Sequence, residues 1–252
     1  MSFLTLAQGD PIGKDLLKKL VNSRYGISPP AMESLRITYR GRTRARLWRV
    51  PLWARVDAVA TYRFPREMKW EFKVRLLGLL RSGYTTSFDG TAVYEQHGFK
   101  VSTITDEVLV ESARRRAWAE TVFFISPLIA DPQVHVEGEG NHTLRVWLAG
   151  QEADVAIVRL DEDNRLHEVE VERVDPADGQ RKRQFIRPVG ELVKVDGLIM
   201  PQTIQRYWED ELFMELSPVA VDLNPELAPD VFTLREENPL EGLDDTEEND
   251  ST

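Results

Sequence analysis

Residues 67–76 read Glu-Met-Lys-Trp-Glu-Phe-Lys-Val-Arg-Leu, with an apolar residue at every even position and a charged residue at every odd position. Successive side chains of a β-strand point to opposite faces, so this segment has one polar face and one apolar face. The same alternation recurs in residues 35–47 and in residues 168–172, after which Arg173 breaks it. The pattern predicts a large antiparallel sheet with one apolar, concave face.

Two helices interrupt the predicted strands. The first is expected over residues 11–23, with Pro11 in its first turn behind Asp10 as the cap. The second is expected to begin at Thr105 as its cap and to run to residue 126. The fold class is therefore mainly β (α+β). The predicted strands cover residues 34–49, 53–64, 67–77, 82–88, 91–96, 98–103, 133–138, 142–149, 153–160, 165–173, 182–188, 190–195, 200–208 and 211–221.

The acidic charge of the chain is concentrated at its end. The formal net charge is −10, and residues 235–252 contain eight acids and one base, or −7, which leaves −3 for the rest. A segment so charged and so poor in large apolar residues cannot bury enough surface to offset its chain entropy. We expect one domain over residues 1–233 and a disordered acidic tail over residues 234–252, with two domains as the alternative that the length allows.

The chain contains no cysteine, which excludes disulfides, thiolate metal sites and cysteine nucleophiles and fits a reducing compartment. The first eight residues lack the basic segment and the apolar run of a signal peptide, and no stretch has the length and apolar character of a transmembrane helix. We therefore expect a cytoplasmic protein without a transmembrane segment. A periplasmic or extracytoplasmic location is expected instead if a leader has been removed.

No catalytic motif stands out in the sequence. It has no Gly-x-Ser-x-Gly elbow, no phosphate-binding glycine-rich loop and no dinucleotide fingerprint, the common signatures of hydrolases, kinases and dehydrogenases. The acids Glu209, Asp210 and Glu211 lie between two predicted strands, where a polar turn is the expected structure. We predict no catalytic residue and no cofactor.

A metal site can be sought at His135, Glu137 and Glu139, which alternate along one predicted strand, together with His142 beyond a turn. Imidazole and carboxylate groups are metal ligands, and alternate strand positions project to one side. This spacing does not define a coordination geometry. We therefore predict no metal site.

Arginines form a ladder over residues 36–46 and short basic runs at residues 114–116 and 181–183. Guanidinium groups bind phosphate well, but a nucleic-acid interface requires a concentrated basic patch. The alternative is that these arginines pair across strands with acids such as Asp57 or those of residues 168–172. We favour the ion pairs and expect no nucleic-acid partner.

The predicted inward face of residues 54–64 carries small side chains, notably Ala54, Ala58 and Ala60, where a filled core requires large ones. Two interpretations remain open. The second helix packs closely on this face, or a hydrophobic ligand pocket opens between helix and sheet.

Three stretches carry a family resemblance: residues 84–90, which lead to the helix ending Phe-Phe-Ile-Ser-Pro-Leu; residues 195–201; and residues 221–232. Together they resemble the LolA/LolB-type superfamily of lipoprotein localisation and sorting factors and their relatives, over roughly residues 14–233. The resemblance implies a strongly curved antiparallel half-barrel whose helices cover a hydrophobic cavity. It also implies acyl chains as the ligand class of the transport members.

The leading functional hypothesis is non-catalytic binding or carriage of a hydrophobic or acyl-chain ligand, such as a lipid, in the half-barrel cavity. A protein-interaction scaffold, with a filled core and an acidic tail that engages a protein partner, is the alternative, and a cofactor-free enzyme that uses the cavity is third. Strand alternation places these residues in the predicted cavity: Val56, Ala58, Ala60, Tyr62, Trp70, Phe72, Val74, Tyr84, Phe88, Leu144, Val146 and Leu148.

Overall fold

The computed structural model describes residues 6–47, 50–76, 80–176 and 178–236, without the side chains of residues 45–47, 50–51, 76 and 80–81. The first half of the chain forms the elements β1 (Gln8–Gly9), α1 (Pro11–Tyr25), β2 (Ser34–Leu47), β3 (Val50–Arg63), β4 (Glu67–Leu76), β5 (Leu80–Phe88), β6 (Val93–His97) and β7 (Lys100–Ile104). The second half forms α2 (Glu107–Phe124), α3 (Ser126–Ala130), β8 (Val134–Glu139), β9 (Thr143–Leu148), β10 (Ala156–Leu160), β11 (Leu166–Val174), β12 (Arg181–Val195), β13 (Leu198–Trp208) and β14 (Glu211–Leu223).

All of these strands belong to one sheet with the order β1-β8-β9-β10-β11-β12-β13-β14-β2-β3-β4-β5-β6-β7. Strands β2 to β7 form one meander and β8 to β14 a second, and the pairing of β14 with β2 joins them. The pairs are antiparallel except that the two-residue β1, which was not predicted, runs parallel to β8. The predicted fold class, mainly β with a few helices, is confirmed, and the sheet is mixed only at β1.

The sheet curves around α2. This helix contacts β10 and β11 on one side and β5 and β6 on the other, and six strands separate these two pairs in the sheet order. A flat sheet cannot bring both pairs to one helix, so the half-barrel shape follows from these contacts. Helix α1 covers β8 and β9 near the edge of the same sheet.

The first helix has the predicted start. The Asp10 carboxylate accepts a hydrogen bond from Gly13 N at 2.6 Å, and Pro11 occupies the first turn. The helix ends at Tyr25, and Gly26 follows with φ 66°, a conformation that favours glycine. Its apolar stripe is buried against the sheet and comprises Leu16, Leu17, Leu20 and Val21.

The second helix starts one residue later than predicted. Asp106, not Thr105, is the cap, because its carboxylate accepts hydrogen bonds from Val108 N and Leu109 N, both at 3.1 Å. The helix ends at Phe124, and the short α3 follows it.

Strand β12 corrects a second prediction. Residues 182–188 and 190–195 form one strand rather than two, with an irregularity in the pairing between Val189 and Leu192. Gly190 within it has φ 80°, so a left-handed residue forms a bulge without ending the ladder.

The chain remains ordered beyond the last strand. Phe232 is 1% exposed, its carbonyl accepts a hydrogen bond from the Ser87 hydroxyl at 2.6 Å, and the Arg63 guanidinium lies 5.0 Å from its ring centroid. Residues 237–252 lie outside the described part. The division into a domain of residues 1–233 and a disordered tail of residues 234–252 therefore stays a prediction.

Candidate ligand-binding site

A cavity of about 360 Å³ lies between the first half of α2 and the sheet. Its apolar wall includes Phe72 and Tyr84, whose rings stack at 4.6 Å between centroids. The exposed residues His97, Leu109 and Pro176 also belong to the lining, so the cavity opens to solvent on that side. The lining consists of Met68, Phe72, Tyr84, Thr86, Ser87, Phe88, Val93, Glu95, His97, Ile104, Leu109, Ser112, Ala113, Arg116, Arg173, Val174, Pro176, Gln184, Arg206, Trp208, Phe213 and Met214.

Three of the sequence-predicted cavity residues, Phe72, Tyr84 and Phe88, line this cavity. The other nine predicted residues lie outside this lining. Val146, for example, lies beside α2, where its carbonyl accepts a hydrogen bond from the Trp118 indole at 3.1 Å. The predicted residues outside the lining are Val56, Ala58, Ala60, Tyr62, Trp70, Val74, Leu144, Val146 and Leu148. Whether any of the twelve contacts a ligand stays a prediction.

The small residues of β3 have an explanation that neither sequence interpretation contained. Tyr39 on β2 is in register with Ala58, and Trp70 on β4 is in register with Ala60. The rings of Tyr39 and Trp70 stack at 5.7 Å, with 8° between their planes. Strands β2 and β4 are two strand spacings apart, about 9.5 Å, so the two rings must lean towards each other over β3. The alanines make room for an aromatic stack supplied by the neighbouring strands.

This packing predicts that Ala58→Leu destabilises the protein. Ala58 is 2% exposed, and the added atoms meet the Tyr39 and Trp70 rings. Overpacking of a filled core costs about 1 to 3 kcal/mol, which urea unfolding followed by circular dichroism will measure. Ala220→Leu, at an exposed position of β14, is the matched control and should change stability by no more than about 0.5 kcal/mol. Equal stability of the two variants would contradict the described packing.

A buried ion pair borders the cavity, and its arginine belongs to the lining. Glu120 of α2 is 1% exposed and Arg206 of β13 is 3% exposed. The guanidinium donates two hydrogen bonds to the carboxylate, one of them 2.9 Å from Nη2 to Oε2. The Tyr62 hydroxyl also donates to Glu120 Oε2 at 3.3 Å. Burial lowers the pKa of Arg206, but the charge and hydrogen bonds of Glu120 outweigh it, so the pKa lies above its usual value.

Two further arginines face the cavity without an acidic partner within 4.0 Å in the described part of the chain. Arg173 donates to the neutral oxygens of Ser112, at 3.4 Å, and Gln184, at 3.0 Å. Arg116 has no hydrogen-bond or ion-pair partner among the described residues, and its guanidinium lies 5.4 Å from the Trp70 ring centroid. Burial lowers the pKa of both arginines from the usual value.

Two lining residues contain buried polar atoms without a hydrogen-bond partner in the described structure. They are Nε of Arg206 and Oγ1 of Thr86. Buried polar groups are nearly always satisfied in folded proteins. Both atoms are shielded from the open space of the cavity, so they are unpaired polar groups within its wall.

The sequence contains a signal for this charged cluster that apolar alternation alone does not reveal. Arg173 occupies the phase of Val169 and Val171 in β11, and Arg206 occupies the phase of Ile204 in β13. A charged residue at a core position of a strand requires a partner or a function.

The other candidate sites have structural roles. In the arginine ladder, Arg40 lies 3.8 Å from Asp57 and Arg42 lies 3.2 Å from Glu215, which are the expected cross-strand ion pairs. Among the acids of residues 168–172, Glu172 pairs with Arg181 of the predicted basic run, as expected. Glu168 and Glu170 pair instead with Arg159 and Arg187, which lie outside the ladder and the basic runs. The side chain of Arg46 lies outside the described part.

The histidine and glutamate candidates for metal binding have other neighbours. His135 stacks on Trp147 at 5.7 Å between centroids, and Glu137 pairs with Arg145 at 3.3 Å. The part of the chain that the structure describes contains no cluster of three or more potential metal ligands. Glu209 forms the β13–β14 turn with φ 48° and pairs with Arg183 at 2.8 Å, so the predicted polar turn is confirmed.

Comparison with known proteins identifies the family. A family of unknown function, DUF6544, matches residues 16–214, which is most of the chain. The chain belongs to this family. No match to the DUF6544 chain was found among curated proteins.

Solved structures resemble this DUF6544 protein. A LolA superfamily protein from Nitrosomonas europaea is 12% identical with a TM-score of 0.48, and the match covers 88% of this chain and 97% of that one. A putative outer membrane lipoprotein-sorting protein domain from Vibrio parahaemolyticus is 11% identical with a TM-score of 0.47, covering 91% and 96%. A DUF1329 family protein from Desulfovibrio piger is 10% identical with a TM-score of 0.47, covering 88% and 97%. These similarities concern the fold alone.

None of the helices in the described ranges of this DUF6544 protein has both the length and the apolar character needed to cross a membrane. No comparison supports the predicted cytoplasmic location, which stays a prediction.

Proposed function

We propose that this protein binds a hydrophobic ligand of the acyl-chain class in the cavity between α2 and the sheet and does not transform it. The supporting observation is a solvent-open cavity of about 360 Å³ whose wall contains Phe72, Phe88 and Phe213. Ligand pockets are concave, mostly apolar and about 300 to 1,000 Å³ in volume. The volume is near the lower end of that range, which suits one chain rather than several.

The polar groups around the cavity support binding rather than catalysis. The hydroxyls of Ser87 and Ser112 donate to backbone carbonyls at 2.6 and 3.3 Å, and His97 stacks on Tyr84 at 5.9 Å. Glu120 is held by Arg206. Among the described lining residues, no hydroxyl is therefore paired with a base as an activated nucleophile requires.

Filling the cavity tests the proposal. Ala113 lies on α2, is 8% exposed and lines the cavity, so Ala113→Leu places a larger side chain where the ligand lies. We expect the affinity for a neutral fluorescent probe, Nile red, and for its competitor dodecanol to fall at least about tenfold. Stability should stay level or rise, because the new side chain gains contacts that the empty space lacks. Fluorescence titration and urea unfolding measure the two effects.

Ala220→Leu again serves as the control, since the exposed leucine should leave probe affinity and stability unchanged. Native mass spectrometry of the purified wild type provides a second readout, with a co-purifying lipid as the expected result. A wild type that carries no lipid and binds neither Nile red nor dodecanol would refute the proposal and favour the interaction scaffold.

A further inference from the structure

The arginines of α2 fall into two groups. Arg114 and Arg115 both donate to the Asp154 carboxylate, the latter at 2.9 Å. Arg116, the next residue, faces the cavity and has no carboxylate within 4.0 Å among the described residues. Arg173 of β11 is in the same situation, with only neutral oxygens as acceptors among the described residues.

The nearby acids leave a surplus of positive charge in the cavity wall. The Glu120 carboxylate accepts two hydrogen bonds from Arg206, which also lines the cavity, and one from Tyr62. Asp175, close to Arg173 in sequence, accepts from Lys182 Nζ at 2.7 Å. Glu95 belongs to the lining beside Tyr84. Three lining arginines thus face one paired carboxylate and one lining carboxylate.

Burial makes this surplus of positive charge energetically costly. Loss of hydration is the largest cause that lowers the pKa of Arg116 and of Arg173, and the charges of neighbouring arginines lower both further. The charge of Glu120 offsets only part of these effects. An anion in the cavity would remove that cost.

We infer that the ligand is an anionic amphiphile, an acyl chain whose carboxylate or phosphate group is held by Arg116 and Arg173. This inference rests on the proposed function, since it assigns a head group to the proposed chain. The guanidinium group presents planar paired donors that match carboxylate and phosphate oxygens. The apolar wall of Phe72, Phe88 and Met214 receives the remainder.

Four probes separate the head group from the chain: dodecanoate, dodecyl phosphate, dodecanol and inorganic phosphate. We expect the wild-type protein, studied by calorimetry at low salt, to bind dodecanoate and dodecyl phosphate about 10- to 100-fold more tightly than dodecanol. That range corresponds to one hydrogen-bonded charge contact. A phosphate group without a chain should bind more weakly than either anionic amphiphile.

Charge-removing variants locate the effect. Arg116→Gln and Arg173→Gln should each reduce the preference for dodecanoate over dodecanol about tenfold and leave dodecanol affinity unchanged. Arg40→Gln removes the same charge from a side chain that is 76% exposed on the outer face and should keep the full preference. Arg116→Lys, which retains the charge, should preserve part of the preference, and it provides a folded variant if Arg116→Gln unfolds.

The outcomes distinguish this inference from the proposed function. Equal wild-type affinity for dodecanoate and dodecanol would overturn the anionic head group and leave the acyl-chain proposal intact. Inorganic phosphate that binds as tightly as dodecyl phosphate, and is lost in Arg116→Gln, would support the anion site and overturn the acyl chain. Retained preference in both arginine variants would overturn the assignment to Arg116 and Arg173. Binding of none of the four probes would overturn both proposals.

Discussion

Replacement of Glu120 with alanine is expected to lower the free energy of unfolding by about 3 to 5 kcal/mol. The carboxylate is 1% exposed and accepts two hydrogen bonds from Arg206 and one from Tyr62. Its removal leaves the Arg206 guanidinium, 3% exposed, buried without a counter-ion, and the Tyr62 hydroxyl without its acceptor. Loss of one partner from a buried pair therefore costs far more than loss of an exposed ion pair.

Urea unfolding measures this effect against Glu137→Ala, which breaks an exposed pair with Arg145 and should cost at most about 1 kcal/mol. Joint replacement of Glu120 and Arg206 by methionine removes both charges and should recover most of the stability, because no unpaired ion remains. The prediction is wrong if Glu120→Ala and Glu137→Ala unfold at the same urea concentration.

Local patterns in the sequence predicted the elements of the fold well. Alternation in residues 67–76 specifies β4 because the two faces of that strand have opposite polarity. Details that depend on a single hydrogen bond could not be predicted from the sequence. Both Thr105 and Asp106 are good caps by residue type, and only the structure shows which side chain reaches the free N–H groups of α2.

The cavity was harder to predict because its position depends on register between strands. Alternation identifies Ala58 and Ala60 as inward-facing. It does not identify their cross-strand neighbours, Tyr39 on β2 and Trp70 on β4, which are distant from each other in sequence. Space above a small residue is set by its cross-strand neighbours. The pairing of Ala58 with Tyr39 filled that space, and the true cavity lies farther along the sheet, towards β5 and β6.

Trp70 connects the filled and the open parts of the inner face. On one side its ring stacks on Tyr39 above the alanines of β3. On the other side the guanidinium groups of Arg116 and Arg206 lie 5.4 and 5.0 Å from its centroid. A cation over a buried indole gains up to about 2 kcal/mol. Trp70 therefore supports the aromatic stack and two of the arginines in the cavity wall at once.

Trp70→Ala is expected to cost about 3 to 5 kcal/mol of stability, as measured by urea unfolding, because it removes a side chain that is 0% exposed and leaves a void in the core. Trp53→Ala is the matched control. Trp53 lies on the outer face, 39% exposed, and also has two guanidinium groups over its ring, those of Arg42 at 4.8 Å and Arg44 at 5.6 Å. At an exposed site such contacts are worth about 0.5 to 1 kcal/mol, so the control should lose little stability. A loss of equal size in both variants would show that cation–π contacts, rather than burial of the Trp70 ring, determine its contribution.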